Sequence, residues 1–385
     1  MPYPQRFAQE LTDAVRRGVD GPALREALGP ALEDLLGDPR VARARRLVLA
    51  GSGDSLFAAT AARPALRRWS GQAVEVLTAL ELGRYETPLL GPADVVLGIS
   101  NSGSSTRTRE SLALARARRA LTVAVVGSRS GPLAGLAERV LHRPVRAPDG
   151  VDASRARVYL NMAEYVATLV TLYALGLELG VRAGRLARAD ADAWAGRLDA
   201  ALAAIGDVAR HVEPSVEALA RDLDGADTIW VLGGGPSRGT ADYLAAKFHE
   251  QLPWNGIAQD LEEWAHLQYF LTLAWKARSV VVVLAPPGNA LDRAEELVQG
   301  IAAAGGRAVV VGPPAPGRFP GAHARLDVAA ETPELLTPVT YHVPVQLLVL
   351  HLARLAGVPL VPLRRQDDYW LIRGGTARTT AADLS

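Results

Sequence analysis

The amino-acid sequence predicts an α/β protein built from two doubly wound parallel sheets in tandem. Short apolar runs rich in β-branched residues alternate with helical patterns of about 10–15 residues, which is the arrangement of parallel sheets covered by helices. This alternation occurs twice along the chain, at similar spacing. A polar, alanine-rich helical stretch at 181–225 separates the two repeats, and we expect it to link two α/β units.

The elements are expected in the following order. Residues 1–40 form an N-terminal helical segment with turns at Gly-Pro pairs. The first unit, 41–180, contains strands at 45–51, 74–79, 95–100, 121–127 and 139–145 and helices at 55–69 and 158–179. The second unit, 226–360, contains strands at 228–235, 279–286, 307–313 and 324–330 and helices at 240–251, 291–303 and 340–355. Residues 361–385 form a C-terminal tail.

Composition narrows the class of protein. A chain of 385 residues is long enough for two hydrophobic cores. It has no cysteine and its seven histidines show no HExxH pattern, so we expect no metal and no cofactor. The net charge of +1 does not suggest a nucleic-acid partner, and no apolar run reaches the ~18 residues of a membrane span. The first residues lack an apolar signal region, so we expect a cytoplasmic protein.

The serine-rich segment 100–106 carries the strongest functional signal. It follows a predicted buried strand and precedes a predicted helix, so backbone N–H groups and the positive end of a helix dipole converge there. One serine would suffice to cap the helix, whereas five of these seven residues carry hydroxyls. We therefore predict a phosphate site without a lysine, with contacts from Ser100, Asn101, Ser102 and Ser105.

A glycine turn at 51–55 is predicted to form the second wall of this site. It follows the first strand, and ligands bind at the carboxyl ends of strands in such sheets. The turn lacks the third glycine and the distal acid of a dinucleotide fingerprint, so we assign Gly51, Gly53 and Ser55 to the same phosphate. The corresponding segment of the second half, 284–293, has no serine or threonine, and that half is expected to supply other groups.

Lysine is rare in this chain. Of 42 lysines and arginines, only Lys247 and Lys276 are lysine. Where arginine is the default cation, a retained lysine suggests a role for a compact donor. Lys247 and Glu250 are spaced to share one helix face, an arrangement that is also typical of a surface ion pair.

On these motifs the chain resembles the SIS (sugar isomerase) superfamily. The resemblance is to the tandem arrangement found in the isomerase half of glucosamine-6-phosphate synthase and in fructosamine-6-phosphate deglycases and deaminases. It rests on GSGDS at 51–55, ISNSGSST at 99–106 and the strand pattern of both halves. It implies two flavodoxin-like SIS subdomains, a phosphorylated sugar as ligand, and a homodimer whose neighbouring subunit completes the active site.

The resemblance also implies the catalytic residues. The family pattern A-L-K-L-K-E corresponds to 245–250, and His266 follows Glu250 at the spacing of the histidine in the family's G-E-L-K-H-G-P segment. By this resemblance Glu250 is the base that moves a proton between C1 and C2. His266 helps to open the sugar ring, and Lys247 supports the reacting hydroxyls.

Three further substrate contacts follow from the resemblance: Glu263, chosen over its neighbour Glu262, Ser154 after the fifth strand, and Arg364 in a tail that closes over the site. The family's tail lysine, which forms a Schiff base with the ketose, has no counterpart, because no lysine follows Lys276. Arginine cannot form that bond. Isomerisation, or loss of an amine already present on the substrate, needs no such lysine.

The leading prediction is therefore a sugar-phosphate aldose–ketose isomerase that acts through an enediol. The same glutamate and histidine would also serve a deglycase or deaminase that cleaves the C–N bond of a phosphorylated aminosugar or fructosamine. A non-catalytic sugar-phosphate-binding protein is the third possibility, favoured by the degraded G-E-L-K-H-G-P segment. In each case the partner is a small phosphorylated sugar, with neither nucleic acid nor membrane.

Overall fold

The computed structural model describes residues 7–145, 153–223, 226, 228–252 and 254–358. The chain forms two compact units, each built on one five-stranded parallel sheet. Of the described residues, the first-sheet unit contains 18–145 and 160–196. The second-sheet unit contains 7–17, 153–159 and the residues from 197 to 358.

The helices and strands of the described residues are as follows. The α-helices are α1 (Phe7–Gly18), α2 (Gly21–Gly37), α3 (Pro39–Ala42), α4 (Asp54–Ser70), α5 (Ala79–Glu81), α6 (Thr106–Ala117), α7 (Pro132–Leu136), α8 (Ala153–Arg182), α9 (Arg188–Asp222), α10 (Pro236–Gln251), α11 (Leu261–His266), α12 (Tyr269–Trp275), α13 (Leu291–Ala303) and α14 (Val343–Leu355). The strands are β1 (Arg46–Gly51), β2 (Ala73–Thr78), β3 (Asp94–Ser100), β4 (Leu121–Val126), β5 (Arg139–His142), β6 (Thr228–Leu232), β7 (Asn255–Gln259), β8 (Val280–Leu284), β9 (Arg307–Gly312) and β10 (Ala324–Asp327). Short turns of π-helix (Leu82–Glu86) and 3-10 helix (Thr87–Leu89, Lys276–Arg278, Glu334–Val339) lie between them.

The first sheet has the strand order β2-β1-β3-β4-β5, with every pair parallel. Its central strand β3 is buried along its whole length, which explains why its sequence is a continuous apolar run rather than an alternating one. Helices α4, α6 and α7 pack on the sheet. The strand order reverses between β1 and β3, and doubly wound sheets bind their ligands at that point, beyond the carboxyl ends of the strands.

The second sheet repeats this topology, with the order β10-β9-β8-β6-β7 and parallel pairs throughout. Strands β6 and β8 take the places of β1 and β3 in the first sheet. Strand β8 is fully buried, and helices α10 and α13 pack on the sheet. The core of this unit includes Trp230, Val281, Val310 and Ile301.

The predicted fold class, two doubly wound parallel sheets, is confirmed. The predicted strands of the first half match β1 to β5 closely. One strand of the second half was not predicted, namely β7 with the sequence NGIAQ. This edge strand begins with asparagine and glycine and is only partly buried, so it lacks the apolar run that marked the others.

Two described segments are long and apolar enough to span a membrane, Asn161–Arg182 and Glu334–Leu355. The sequence analysis did not identify them, because neither is an unbroken apolar run. Within the structure 83% of the first window and 94% of the second are buried. This burial is the pattern of core helices of a folded domain, and α8 and α14 supply much of the hydrophobic core.

Candidate functional site

The serine loop, residues 100–105, lies between the carboxyl end of β3 and the first turn of α6. Strands β1 and β3 are neighbours in the sheet. A Cβ atom added to Gly51 would lie 3.2 Å from the Ile99 carbonyl oxygen, so the glycine turn contacts the strand that leads into the serine loop. The structure thus brings the two predicted walls of the phosphate site together at the switch point of the sheet.

Hydrogen bonds within the serine loop fix where its hydroxyls lie. Ser100 is buried, and its hydroxyl oxygen accepts a hydrogen bond from the Gly103 backbone N–H at 3.2 Å. Gly103 has a φ of +66°, in the left-handed region that favours glycine. Ser102 and Ser104 are exposed, with their hydroxyl oxygens 2.7 Å apart. The loop therefore presents two hydroxyls to solvent above one buried hydroxyl.

Two helices begin beside this loop without a side-chain cap. Ser105 precedes α6 but makes no capping bond; its hydroxyl oxygen accepts from the Thr108 hydroxyl at 3.2 Å instead. Gly53 precedes α4 with a φ of 58°, again without a capping side chain. Uncapped N–H groups at the start of a helix are ready donors for an anion. The serines therefore do not serve α6 as an ordinary N-cap, which favours the anion site.

Of the other residues assigned to the glycine turn, Ser55 lies half-buried in the first turn of α4. A Cβ added to Gly51 would lie 3.1 Å from the Ser55 Cβ, so any side chain at position 51 would push against it. The glycine at 51 thus permits the close approach of the turn to β3.

The side chain of Asn101, a predicted phosphate contact, is hydrogen-bonded within the unit. Its side-chain amide donates a short hydrogen bond to Glu164, and its side-chain oxygen accepts from Arg143 Nη1 at 3.2 Å. Its backbone oxygen accepts from the Gly127 N–H at 3.0 Å. The Asn101 side chain therefore holds the loop onto the body of the unit. Burial lowers the pKa of Arg143 to about 10, against the opposing effect of the Glu164 charge.

Helix α6 contains a buried carboxylate that was not predicted from the sequence. Glu110 is 1% exposed and forms short ion pairs with Arg84 and Arg107. Arg107 lies in the first turn of α6, next to the serine loop. A sequence signal existed in the i, i+3 spacing of Arg107 and Glu110, but burial of the glutamate depends on packing against the π-helical turn that carries Arg84.

The equivalent loop of the second sheet is occupied by a carboxylate of the same chain. It follows β8, and there Asn289 donates two hydrogen bonds to Glu334, from its backbone N at 2.9 Å and from its side-chain N at 2.8 Å. A Cβ added to Gly288 would lie 2.2 Å from Glu334 Cδ. A negative charge thus fills the position where the first sheet has its serine loop, which agrees with the predicted divergence of the two halves.

Lys247 and Glu250 lie on α10 and form an ion pair, with Lys247 Nζ 2.8 Å from Glu250 Oε2. The Lys247 side chain is completely buried, and the Glu250 side chain is 32% exposed. The ammonium also lies 4.6 Å from the centre of the Tyr243 ring. Full burial is rare for lysine and excludes the simple surface ion pair that the sequence left open. Its predicted role of supporting substrate hydroxyls stays a prediction; in the structure its ammonium donates to Glu250.

His266 ends α11 with 67% of its side chain exposed. Its Nε2 lies 3.1 Å from Glu262 Oε1, and the other oxygen of Glu262 accepts from Arg293 Nε at 2.7 Å. Arg293 and, to a smaller extent, His266 lower the pKa of Glu262. The contact of His266 is thus with Glu262, at i, i+4, and Glu263, the predicted substrate contact, is exposed. No hydrogen bond joins His266 to Glu250 among the described residues.

Two predicted contacts are not described by the structure. Arg364 lies outside the described residues, and so does the side chain of Ser154, whose backbone is in the first turn of α8. In the part of the chain that is described, no three histidine, aspartate or glutamate side chains are grouped to hold a metal ion.

Comparison with known protein families identifies the first half of the chain. Residues 40–176 match the family model of the SIS domain. The matched segment contains the whole first sheet together with the glycine turn and the serine loop. Because the second sheet has the same strand order, the chain has the fold of two SIS subdomains in tandem, as predicted.

Relatives are found among isomerizing glutamine–fructose-6-phosphate aminotransferases. Those of Rhizobium meliloti and Pyrococcus horikoshii are each 26% identical to this chain over 316 residues, which is 81% of the chain. The matched region is 49% of either relative, so this chain spans about half of their length.

Solved structures with the same fold cover nearly the whole chain. The C-terminal domain of glucosamine-fructose-6-phosphate aminotransferase from Francisella tularensis superposes with a TM-score of 0.76 at 17% identity, covering 92% of this chain and 96% of that one. Tagatose-6-phosphate ketose/aldose isomerase from Escherichia coli superposes with a TM-score of 0.66 at 17% identity, covering 93% and 95%. At this identity the likeness establishes the fold.

Proposed function

We propose that this protein is an aldose–ketose isomerase of a phosphorylated sugar, with Glu250 as its catalytic base. The pairing of the fully buried Lys247 ammonium with the partly exposed Glu250 carboxylate carries the proposal. Lys247 fixes Oε2, and Oε1 accepts no hydrogen bond from a described residue. Glu250 thus offers one oriented, reachable oxygen to a substrate.

This arrangement suits the chemistry of an enediol. The reaction requires a base that removes a proton from the carbon beside the carbonyl and returns it to the neighbouring carbon. A carboxylate anchored by one oxygen can present its other oxygen to both carbons in turn. The names of the relatives, which join isomerization to fructose 6-phosphate, support a hexose 6-phosphate as the substrate class.

The phosphate is proposed to bind at the first sheet. Ser100, Ser102 and Ser105 would donate hydroxyl hydrogen bonds, and the uncapped starts of α4 and α6 would donate backbone N–H groups. Gly51 and Gly53 would let the turn approach the phosphate closely. Asn101 would contribute by holding the loop, for the reason given above.

His266 is proposed to open the sugar ring. With Nε2–H donated to Glu262, its Nδ1 can accept a proton from the anomeric hydroxyl. Arg293 anchors Glu262 and so fixes the imidazole orientation. The exposed side chains of Leu267, Phe270 and Leu273 follow His266 directly, and an exposed apolar patch is typical of an interface. They support the further proposal of a homodimer in which a neighbouring subunit completes the site. The cytoplasmic location that the sequence predicts is a separate proposal.

A second candidate function is cleavage of a C–N bond in a phosphorylated aminosugar or fructosamine by the same glutamate. The amino transfer named for the relatives favours it. A chain that binds phosphosugars without turnover would instead be a sensor.

The test uses purified protein with hexose 6-phosphates, aminosugar 6-phosphates and the corresponding free sugars. We expect phosphorylated compounds alone to raise the unfolding temperature, and at least one to be isomerised or to release ammonia. Glu250→Gln should retain binding and lose about 10²- to 10⁴-fold in turnover. Glu331→Gln, at an exposed glutamate of the same unit, is the matched control and should behave like the wild type. Binding without turnover would indicate the sensor; no response to any phosphate would refute the proposal.

A further inference from the structure

Arg143 follows β5 directly and is buried behind the serine loop. Only 1% of its surface is exposed. Its backbone N–H donates to the Val126 carbonyl at 2.8 Å, which continues the pairing of β5 with β4 to the carboxyl edge of the sheet. The guanidinium therefore lies at the same edge of the sheet as the serine loop.

The charge of Arg143 is incompletely partnered. Its Nη1 donates to Asn101 Oδ1 at 3.2 Å and to the Glu164 backbone carbonyl at 3.4 Å. Its Nε has no hydrogen-bond partner, and it forms no salt bridge within the described residues. A buried cation without a directly bonded counter-ion is strongly unfavourable, so its position calls for an anion that the polypeptide does not fully supply.

Asn101 connects this cation to the loop. Its side chain is bonded to both Glu164 and Arg143, and a Cβ added to Gly127 would lie 2.2 Å from Asn101 Oδ1, so the amide is clamped in place. Asn101 lies between Ser100 and Ser102 in the chain, so it connects the guanidinium to the two serines that are proposed to bind the ligand.

Positive charge acts on the residue next to Arg143. Burial lowers the pKa of His142, its hydrogen bond with the Gly127 carbonyl opposes this, and the charges of Arg129 and Arg143 lower it further. Glu164 is the acidic group that acts on Arg143 from α8. A field of this sign favours anions, and its effect grows with the charge of the ligand.

We propose that Arg143 sets the charge specificity of the serine loop, making it bind a doubly charged phosphate monoester in preference to a singly charged sulfate ester or carboxylate. The inference rests on the proposed function, because it takes the serine loop as the phosphate site. Arg143 is a positioning residue in this scheme. It acts through Asn101 and through its field, without touching the ligand.

The experiment compares two esters of one sugar. Glucosamine 6-phosphate, a dianion at pH 8, and glucosamine 6-sulfate, a monoanion, are titrated calorimetrically into the full chain. Coulomb's law at about 10 Å and an effective dielectric constant of about 20 gives roughly tenfold in affinity per unit of ligand charge. Arg143→Met should therefore lower the phosphate-to-sulfate affinity ratio roughly tenfold. Arg116→Met makes the same change of net charge at an exposed position on α6 and should leave the ratio unchanged.

A variant that should change the affinity ratio in the opposite direction keeps the test decisive if Arg143→Met does not fold. Glu164→Gln can still accept the Asn101 amide hydrogen bond but no longer opposes the arginine, so it should raise the ratio several-fold. Arg143→Lys keeps the charge and should keep most of the preference. If Arg143 had only a structural role, its substitution would weaken binding of both esters equally and leave the affinity ratio at its wild-type value. That result would overturn this inference but not the proposed phosphate site. A wild type that binds neither ester would overturn the proposed phosphate site together with it.

Discussion

Replacing Glu250 by alanine should destabilise the second-sheet unit more than replacing its partner Lys247. The Lys247 side chain is fully buried, while Glu250 is 32% exposed. Loss of one partner of a buried ion pair costs about 3–5 kcal/mol, because the charge that stays buried loses its counter-ion. The ring of Tyr243, 4.6 Å from the ammonium, remains in place. We therefore expect Glu250→Ala to lose about 2–3 kcal/mol of unfolding free energy.

Replacing Lys247 instead of Glu250 should lower the unfolding free energy far less. Lys247→Met replaces the ammonium by an apolar side chain of similar volume, and the carboxylate it leaves behind is reached by water. We expect a loss of about 1 kcal/mol or less. The double variant should be more stable than Glu250→Ala alone, because it contains no buried charge, yet it should be as inactive as that single variant.

Urea unfolding of the wild type, the two single variants and the double variant measures these differences, provided that the slopes with denaturant agree. The reasoning is refuted if Glu250→Ala unfolds at the wild-type urea concentration. It is equally refuted if adding Lys247→Met to Glu250→Ala brings no recovery, since the buried ammonium would then not depend on Glu250.

Three further predictions concern other parts of the molecule. Ser100→Ala with Ser102→Ala should weaken binding of a phosphate ester by roughly 10- to 100-fold in calorimetry, since hydrogen bonds to a charged group are lost, while the unfolding midpoint changes little. Glu334→Ala removes both acceptors of Asn289 and should lower the unfolding free energy by about 1–2 kcal/mol in urea; an unchanged midpoint would show that this contact is not stabilising. Burial lowers the pKa of His342 from 6.5 to about 4. Between these pH values the imidazole is protonated in the unfolded chain but not in the folded one, so the unfolding free energy should fall as the pH drops from 6.5 towards 4. His342→Gln should flatten that decline, and an equally steep decline would contradict the assignment.

The sequence predicted the parts of the fold that depend on local pattern. Continuous apolar runs such as β3 and β8 identify buried parallel strands without knowledge of their neighbours. Strand β7 could not be found in this way, because its sequence, NGIAQ, has little apolar character and it is only partly buried. Pairing with β6, a tertiary interaction, defines it as a strand.

The candidate site likewise combines features that local sequence predicts with features that depend on tertiary contacts. The hydroxyls of the serine loop are contiguous in sequence and could be recognised as a group. The cation behind them could not, because Arg143 lies some forty residues further along the chain and is one arginine among many. The sequence accordingly predicts a phosphate site without a lysine and gives no sign of the arginine. The sequence does not show the contact of Glu262 with His266, because it depends on how α11 presents the two side chains; the choice of Glu263 as substrate contact stays a prediction.

The most direct test of the proposed function is hydrogen exchange at the substrate carbon. The protein is incubated in D2O with the hexose or aminosugar 6-phosphate that stabilises it most, and deuterium at C1 and C2 is followed by NMR. The account predicts incorporation with the wild type and with Glu331→Gln, and a loss of about 10²-fold or more with Glu250→Gln, because the enediol forms only when Glu250 takes the proton. Incorporation by Glu250→Gln at the wild-type rate would contradict the role of Glu250, and no incorporation by the wild type would contradict the isomerase.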